Sequence, residues 1–289
     1  MSAVLDTLIP IWAVIALGWF LAGRPGFSPE PLARLAISVS APALIFTLFL
    51  ATDLSNDQLP LLALGAGLVV LLTLAAGRAA LPLMLTPHRG LLLPVAFWNA
   101  GNMGLSVVRL HLGEQALPLA AVVFVTVASL QAVLGTAIAK GSGGVRAALS
   151  MPLVHASLAG LTCTLSGWTP PAMLTEPVAM VGELAIPLML LTLGMSLRRL
   201  RISHLRDAAL IVGLRSGLGL AAALLVVSVL NLQGVPRQVL LIEACLPPAV
   251  INVLFARRFN AAPEAVASAI VLGTAASLLI LPLVLWAFA

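Results

Sequence analysis

Ten apolar runs, each long enough to cross a bilayer, follow one another along this chain with only short connections between them. A hydrocarbon core takes about 20 helical residues at about 1.5 Å each. The runs lie near 4–22, 33–51, 60–82, 90–110, 115–139, 147–166, 177–197, 207–230, 237–256 and 264–287. Hydrophobic residues make up 61% of the 289 positions and charged residues 9%, where soluble domains carry roughly 45–50% and about 25%. With no water to satisfy the backbone, such a chain spans lipid as helices. It reads as an all-α integral membrane protein, multi-pass, forming one membrane domain over 1–289.

The connections are rich in turn residues, as in Gly23-Arg24-Pro25-Gly26-Phe27-Ser28-Pro29, Asp53-Leu54-Ser55-Asn56-Asp57, Thr86-Pro87-His88-Arg89-Gly90 and Trp168-Thr169-Pro170-Pro171. The most flexible is Gly141-Ser142-Gly143-Gly144, which divides the chain into sets of five spans, 1–140 and 146–289. Lys and Arg fall twelve on the side reached after odd-numbered spans and two (Arg109, Arg237) on the other, with Arg215 inside a span. By the positive-inside bias the odd side faces the cytoplasm, placing both termini outside a cell membrane, either plasma or bacterial inner. The same placement accounts for the net charge of +5 without a nucleic-acid partner. The N-terminus lacks a basic lead-in and reads as a retained first span. Five is odd, so the second set enters from the opposite side and any repeat is inverted. Pro42 with Thr47 matches Pro187 with Thr192 at an offset of 145, and Asn102 with Glu114 matches Asn252 with Glu264 at an offset of 150.

Two runs carry polar breaks. Asn99-Ala100-Gly101-Asn102-Met103-Gly104 interrupts the fourth, and Leu246-Pro247-Pro248-Ala249-Val250-Ile251-Asn252 the ninth. Glycine weakens a helix, and an unpaired amide in hydrocarbon costs several kcal/mol, about the value for a buried unsatisfied group. The prolines remove donors and should free the carbonyls of Glu243 and Ala244. Paired breaks in corresponding positions of two halves point to the binding site of a secondary transporter. Spans four and nine are expected to cross near the midplane. Half-helix N-termini would there face an anion, with Asn99, Asn102 and Asn252 beside the backbone of Gly101, Gly104, Pro247 and Pro248.

These residues resemble a known family. Asn-Ala-Gly-Asn-Met-Gly-Leu at 99–105 with Leu-Gly-Glu at 112–114, and Leu-Pro-Pro-Ala-Val-Ile-Asn at 246–252 with Arg257, Arg258 and Phe259, look like the two crossover motifs of the auxin efflux carrier (PIN-like) family. The resemblance implies ten transmembrane helices as two inverted five-helix repeats with crossed broken helices, of the sodium/proton antiporter and bile acid symporter type. It implies export or exchange of organic anions, auxin-like or dicarboxylate, by an elevator motion of spans three to five and eight to ten against spans one, two, six and seven. It also implies a homodimer. The chain departs from the pattern at Ser106, where a proline is expected, and at Arg257, where an acid is expected.

Ionisable groups inside spans mark functional sites or exposed faces. Glu243, just before the double proline, is either a proton acceptor or a carboxylate in an outward vestibule paired with Arg237. Arg215 either reaches the headgroups or serves as counter-charge to an anion. Glu183, four before Pro187, reads as a near-surface acid, and Cys163 and Cys245 as inert thiols. The four histidines lie near span ends without metal spacing, and Gly213-Leu214-Arg215-Ser216-Gly217 lacks the strand setting of a nucleophile elbow. No phosphate loop or dinucleotide fingerprint occurs, which disfavours an enzyme or an ATP-driven pump and implies no cofactor. The reading is a secondary transporter of a small organic anion. Its rival is a sodium-coupled symporter, for which Glu243, Ser106 and Thr126 are the available ligands.

Overall fold

The structure, a computed structural model, describes residues 2–52, 58–141 and 144–288. The Asp53–Asp57 turn and residues 142 and 143 of the glycine connection therefore lie outside the described residues. Among the described residues all regular elements are helical apart from one isolated bridge. The first set holds α1 (Ser2–Leu21), α2 (Pro29–Leu35), α3 (Ala41–Leu50), α4 (Gln58–Ala80), α5 (Leu92–Ala96), α6 (Leu105–Leu112), α7 (Leu117–Leu130) and α8 (Thr136–Lys140). The second holds α9 (Val145–Leu149), α10 (Pro152–Ser166), α11 (Ala172–Glu183), α12 (Ala185–Arg199), α13 (Leu205–Val229), α14 (Gly234–Ala244), α15 (Ile251–Arg258) and α16 (Pro263–Phe288). Proline opens α2, α10 and α16, where its missing N–H costs nothing. Left-handed glycines at 141 and 167 end α8 and α10.

Among the described residues seven helices are long and apolar enough to cross a membrane: Val4–Leu21, Pro29–Leu50, Gln58–Leu83, Glu114–Lys140, Ala172–Arg199, Leu205–Val229 and Pro263–Phe288. The other three expected runs are helical but divided. The fourth and ninth are broken between α5 and α6 and between α14 and α15, and the sixth pauses at Ser150 and Met151 between α9 and α10. Turns of π-helix at Ala36–Ser40, Ala100–Gly104 and Gln131–Gly135 join α2 to α3, lead into α6 and join α7 to α8.

Contacts between connections give the molecule two ends. At one, Arg199 pairs with Glu30, the Asp207 carboxylate accepts from Leu85 N (2.7 Å) and Thr86 Oγ1 (2.6 Å), and Ser268 Oγ accepts from Ser203 N (3.0 Å). At the other, Gln58 Oε1 accepts from Gln233 N (2.8 Å), Thr164 Oγ1 donates to Phe49 O (2.9 Å) and Gln238 Nε2 donates to Phe288 O (3.1 Å). The first end carries the odd-side arginines.

The helices pack in two groups. In one, α1 lies along α12 and α3 along α10 and α11; in the other, α13 packs on α4, α14 and α16, and α4 on α7. Small residues set the first group's spacing: a Cβ on Gly18 would strike Leu191 O, and one on Gly194 would strike Ile15 O. In lipid, where apolar burial gives no drive between helices, such close backbone approach supplies the packing.

Candidate functional site

The two breaks meet. Trp98 and Pro248 form an antiparallel bridge, with Asn99 N donating to Pro247 O (2.9 Å) and Ala249 N donating to Phe97 O (3.1 Å). Backbone stripped of its helix finds partners in the other broken helix, which is the condition for unwound chain at membrane depth. Adding 150 to 97 and 99 gives 247 and 249, so the offset read from Asn102 and Asn252 carries each of these hydrogen bonds onto the other.

The asparagines have different surroundings. Asn252 is fully buried, donates from Nδ2 to Phe97 O (3.0 Å) and accepts at Oδ1 from Gln131 Nε2 (2.6 Å). Asn99 is buried with its Nδ2 unpartnered, and Asn102 is half-buried. Asn99, Gly101, Asn102 and Gln131 line a cavity of about 600 Å³ whose walls run past Phe124, Val127 and Leu254 to Arg34, Arg199, Arg257 and Arg258. It therefore reaches from the crossing to the arginine-rich end. Beyond the crossing, Val239, Leu240, Leu241, Ile242 and Leu246 are buried. All three π-turns contribute to the wall, through Ala36, Gly101 and Gln131 among others. Turns of this kind gather at functional sites because they turn side chains out of helical register.

Of the residues expected at the site, Gly104, Pro247, Pro248 and Asn252 stand behind the cavity, not on its wall. The prolines belong to the bridge, and a Cβ on Gly104 would strike the Glu243 carboxylate. Glu243 is fully buried: Oε2 accepts from Trp98 Nε1 (3.0 Å) and Oε1 has no partner. That removes the outward vestibule and the Arg237 pairing. Arg215 is also fully buried and does not reach the headgroups; it donates from Nη1 to Val95 O (2.9 Å) and Ala96 O (3.2 Å) and from Nη2 to Ala244 O (2.7 Å). Of the two carbonyls expected to be freed, Ala244 O is thus taken by arginine, and Glu243 O accepts from Leu246 N (3.1 Å). Glu183 is exposed, as expected for a near-surface acid. Ser106 continues the helix where a proline was expected, its hydroxyl bonded to Asn102 O (3.1 Å), and Thr126 is bonded to Val122 O (2.8 Å). The hydroxyls proposed for sodium are thus bonded within their own helices.

Two participants escaped the sequence reading. Gln131 is the one amide in the apolar run 117–139, a signal that was present and not used. Trp98, adjoining the first break, stacks under Arg215 (Cζ 5.1 Å from the ring centroid) while its indole N–H holds Glu243.

Residues 142–285, which include the double-proline crossover, match the family described as membrane transport protein. Over those residues the chain is similar to that family. An uncharacterized transporter of the archaeon Methanothermobacter thermautotrophicus is 28% identical over 294 residues, covering 96% of either chain. That relative spans both crossovers, whereas the family match lies in the second half. Both matches support a multi-pass transporter and agree with the resemblance of the crossover motifs to the auxin efflux carrier (PIN-like) family.

Proposed function

We propose that the chain is a secondary carrier of small organic anions or weak acids, working by alternating access about the crossing of the fourth and ninth spans. The supporting observation is the unpartnered, buried Nδ2 of Asn99, a residue on the wall of a cavity that leads to arginines. A buried donor without an acceptor costs about 1–3 kcal/mol, and a carboxylate oxygen of the substrate would recover it. Asn102 and the first N–H groups of the π-turn at Ala100–Gly104 lie beside it, where a helix start favours negative charge. Gly104, Pro247, Pro248 and Asn252 hold the crossing in shape, and Glu243 and Arg215 set its charge.

In this reading the ten helical runs cross the membrane as two inverted repeats of five. The hydrogen bonds that exchange under the 150-residue offset are what symmetry about an axis through the crossing requires. Thr47 and Thr192 add support, each donating to the carbonyl three residues earlier at 2.9 Å. The arginine-rich end faces the cytoplasm, the termini lie outside, and the cavity is open inward. An elevator motion would carry the group containing α4, α7, α13 and α16 past the group containing α1, α3 and α12, and a homodimer would anchor the latter. The test is uptake or efflux of a panel of mono- and dicarboxylates in proteoliposomes, with and without a proton or sodium gradient. Asn99→Ala and Asn102→Ala should each cut transport by about tenfold or more, the loss of a charge-assisted hydrogen bond. Unchanged transport in both would refute the site.

A further inference from the structure

We propose that Arg215 is a resident cation of the crossing, standing where a carrier coupled to a metal cation would have to bind that ion. The carbonyls of Val95, Ala96 and Ala244 belong to the last turns of α5 and α14. These are the ends of the two half-helices that enter the crossing, and each carries the negative pole of its helix. In transporters with broken helices such ends, with unwound carbonyls, are what coordinate a sodium ion. Here one guanidinium from the unbroken α13 takes all three, at 2.7–3.2 Å.

The site is built for that group. Gly219, one turn along α13, is where a Cβ would strike both Arg215 Nη2 and Ala244 O, so the position is kept clear for the contact. The Trp98 ring covers the guanidinium at 5.1 Å. Arg215 is absent from the ion pairs formed among the described residues, Arg109–Glu114, Arg199–Glu30 and His204–Glu264, so its charge answers helix ends and not a carboxylate. Guanidinium keeps its proton at any working pH, and its planar fork suits carbonyls converging from two directions. The Glu243 carboxylate lies across Trp98, against Gly104 in the first turn leading to α6, which is the positive end of the next half-helix. The two half-helix C-termini thus find their compensating group within the chain. A carrier so arranged keeps its crossing assembled with no bound sodium, which sets it apart from the symporter reading of the same fold.

The test uses the full-length protein and the variants Arg215→Gln and Arg215→Lys. Melting is followed in NaCl, KCl and choline chloride at matched ionic strength, with and without added guanidinium chloride at low concentration. The wild type should melt at one temperature in all three salts. Arg215→Gln should melt lower in choline and recover in part with NaCl or guanidinium, because a small cation re-enters the vacated oxygens; Arg215→Lys should fall between and stay indifferent to the salt. An Arg215→Gln protein as stable as wild type, or one lowered equally in every salt and unmoved by guanidinium, overturns the proposal by leaving Arg215 a packing residue. So does a wild type stabilised specifically by sodium. If the glutamine variant does not fold, the wild-type and lysine arms still decide. A second arm rests on the carrier reading: initial uptake of labelled malonate and indole-3-acetate into proteoliposomes should be equal in sodium and choline. A rise of about tenfold in sodium, the response of a site going from nearly empty to filled, overturns the proposal. Failure to carry either probe counts against the carrier reading, while the melting series still reads Arg215.

Discussion

The two asparagines that the 150-residue offset relates should respond to alanine in opposite ways. Asn252→Ala removes two buried hydrogen bonds, to Phe97 O at 3.0 Å and from Gln131 Nε2 at 2.6 Å. Phe97 O keeps its bond from Ala249 N, but Gln131 Nε2 loses its recorded acceptor. A made bond is worth about 1 kcal/mol and a stranded buried donor costs about 1–3 kcal/mol, so the expected loss is about 2–4 kcal/mol. At about 2 °C per kcal/mol, the scale for chains of a few hundred residues, melting should fall by about 4–8 °C. Asn102→Ala, which trims a half-buried side chain on the cavity wall, should stay within about 0.5 kcal/mol of wild type while impairing transport. Melting of the purified protein beside transport in proteoliposomes separates the two effects. A Gln131→Ala/Asn252→Ala cycle should add a coupling of about 1–2 kcal/mol, the range for directly bonded neighbours. Equal destabilisation by Asn102→Ala and Asn252→Ala, or a coupling near zero, would refute the division of roles.

Gly104→Ala forces a methyl against the Glu243 carboxylate and should cost about 1–3 kcal/mol in overpacking, read as a lower melting temperature with reduced transport. Gly194→Ala meets backbone, Ile15 O, which cannot swing aside, so α1 and α12 must separate; a loss at or above the upper end of that range is expected in the same assay. A cysteine placed at Asn102 or Ala132 should react with a membrane-impermeant thiol reagent from the arginine-rich face alone, whereas the buried Cys245 stays unlabelled. Labelling from the opposite face at rest would contradict the proposed inward opening of the cavity.

The sites of both breaks were legible because amides, glycine pairs and a double proline in oil have few explanations, and their meeting followed from the need to pair stripped backbone. That Asn99 Nδ2 is left buried without a partner was not legible, since the sequence gives no rotamer. The headgroup reading of Arg215 rests on depth: about eight residues into a helix is about 12 Å, which a long side chain can span toward water. What decides its direction is where α13 lies, between α5 and α14, a fact of packing. Of the two readings of Glu243, the outward vestibule falls for the same reason, because α14 presents it inward toward Trp98. Gln131 stood out as a lone amide, but only the third π-turn brings it to face Asn252. The pause of the sixth run at Ser150 and Met151 had its signal in Pro152, which disfavours helix in the residue before it and opens α10.

The bridge at Trp98 and Pro248 has a mechanical consequence. Two strands of peptide fastened on both sides, with Asn252 as a third rivet to Phe97, leave no slack between the broken helices, so they can travel only as one piece. In the proposed carrier, whatever gives way when the binding niche changes sides must therefore be sought at its border with α1, α3 and α12, where a π-turn abuts α12.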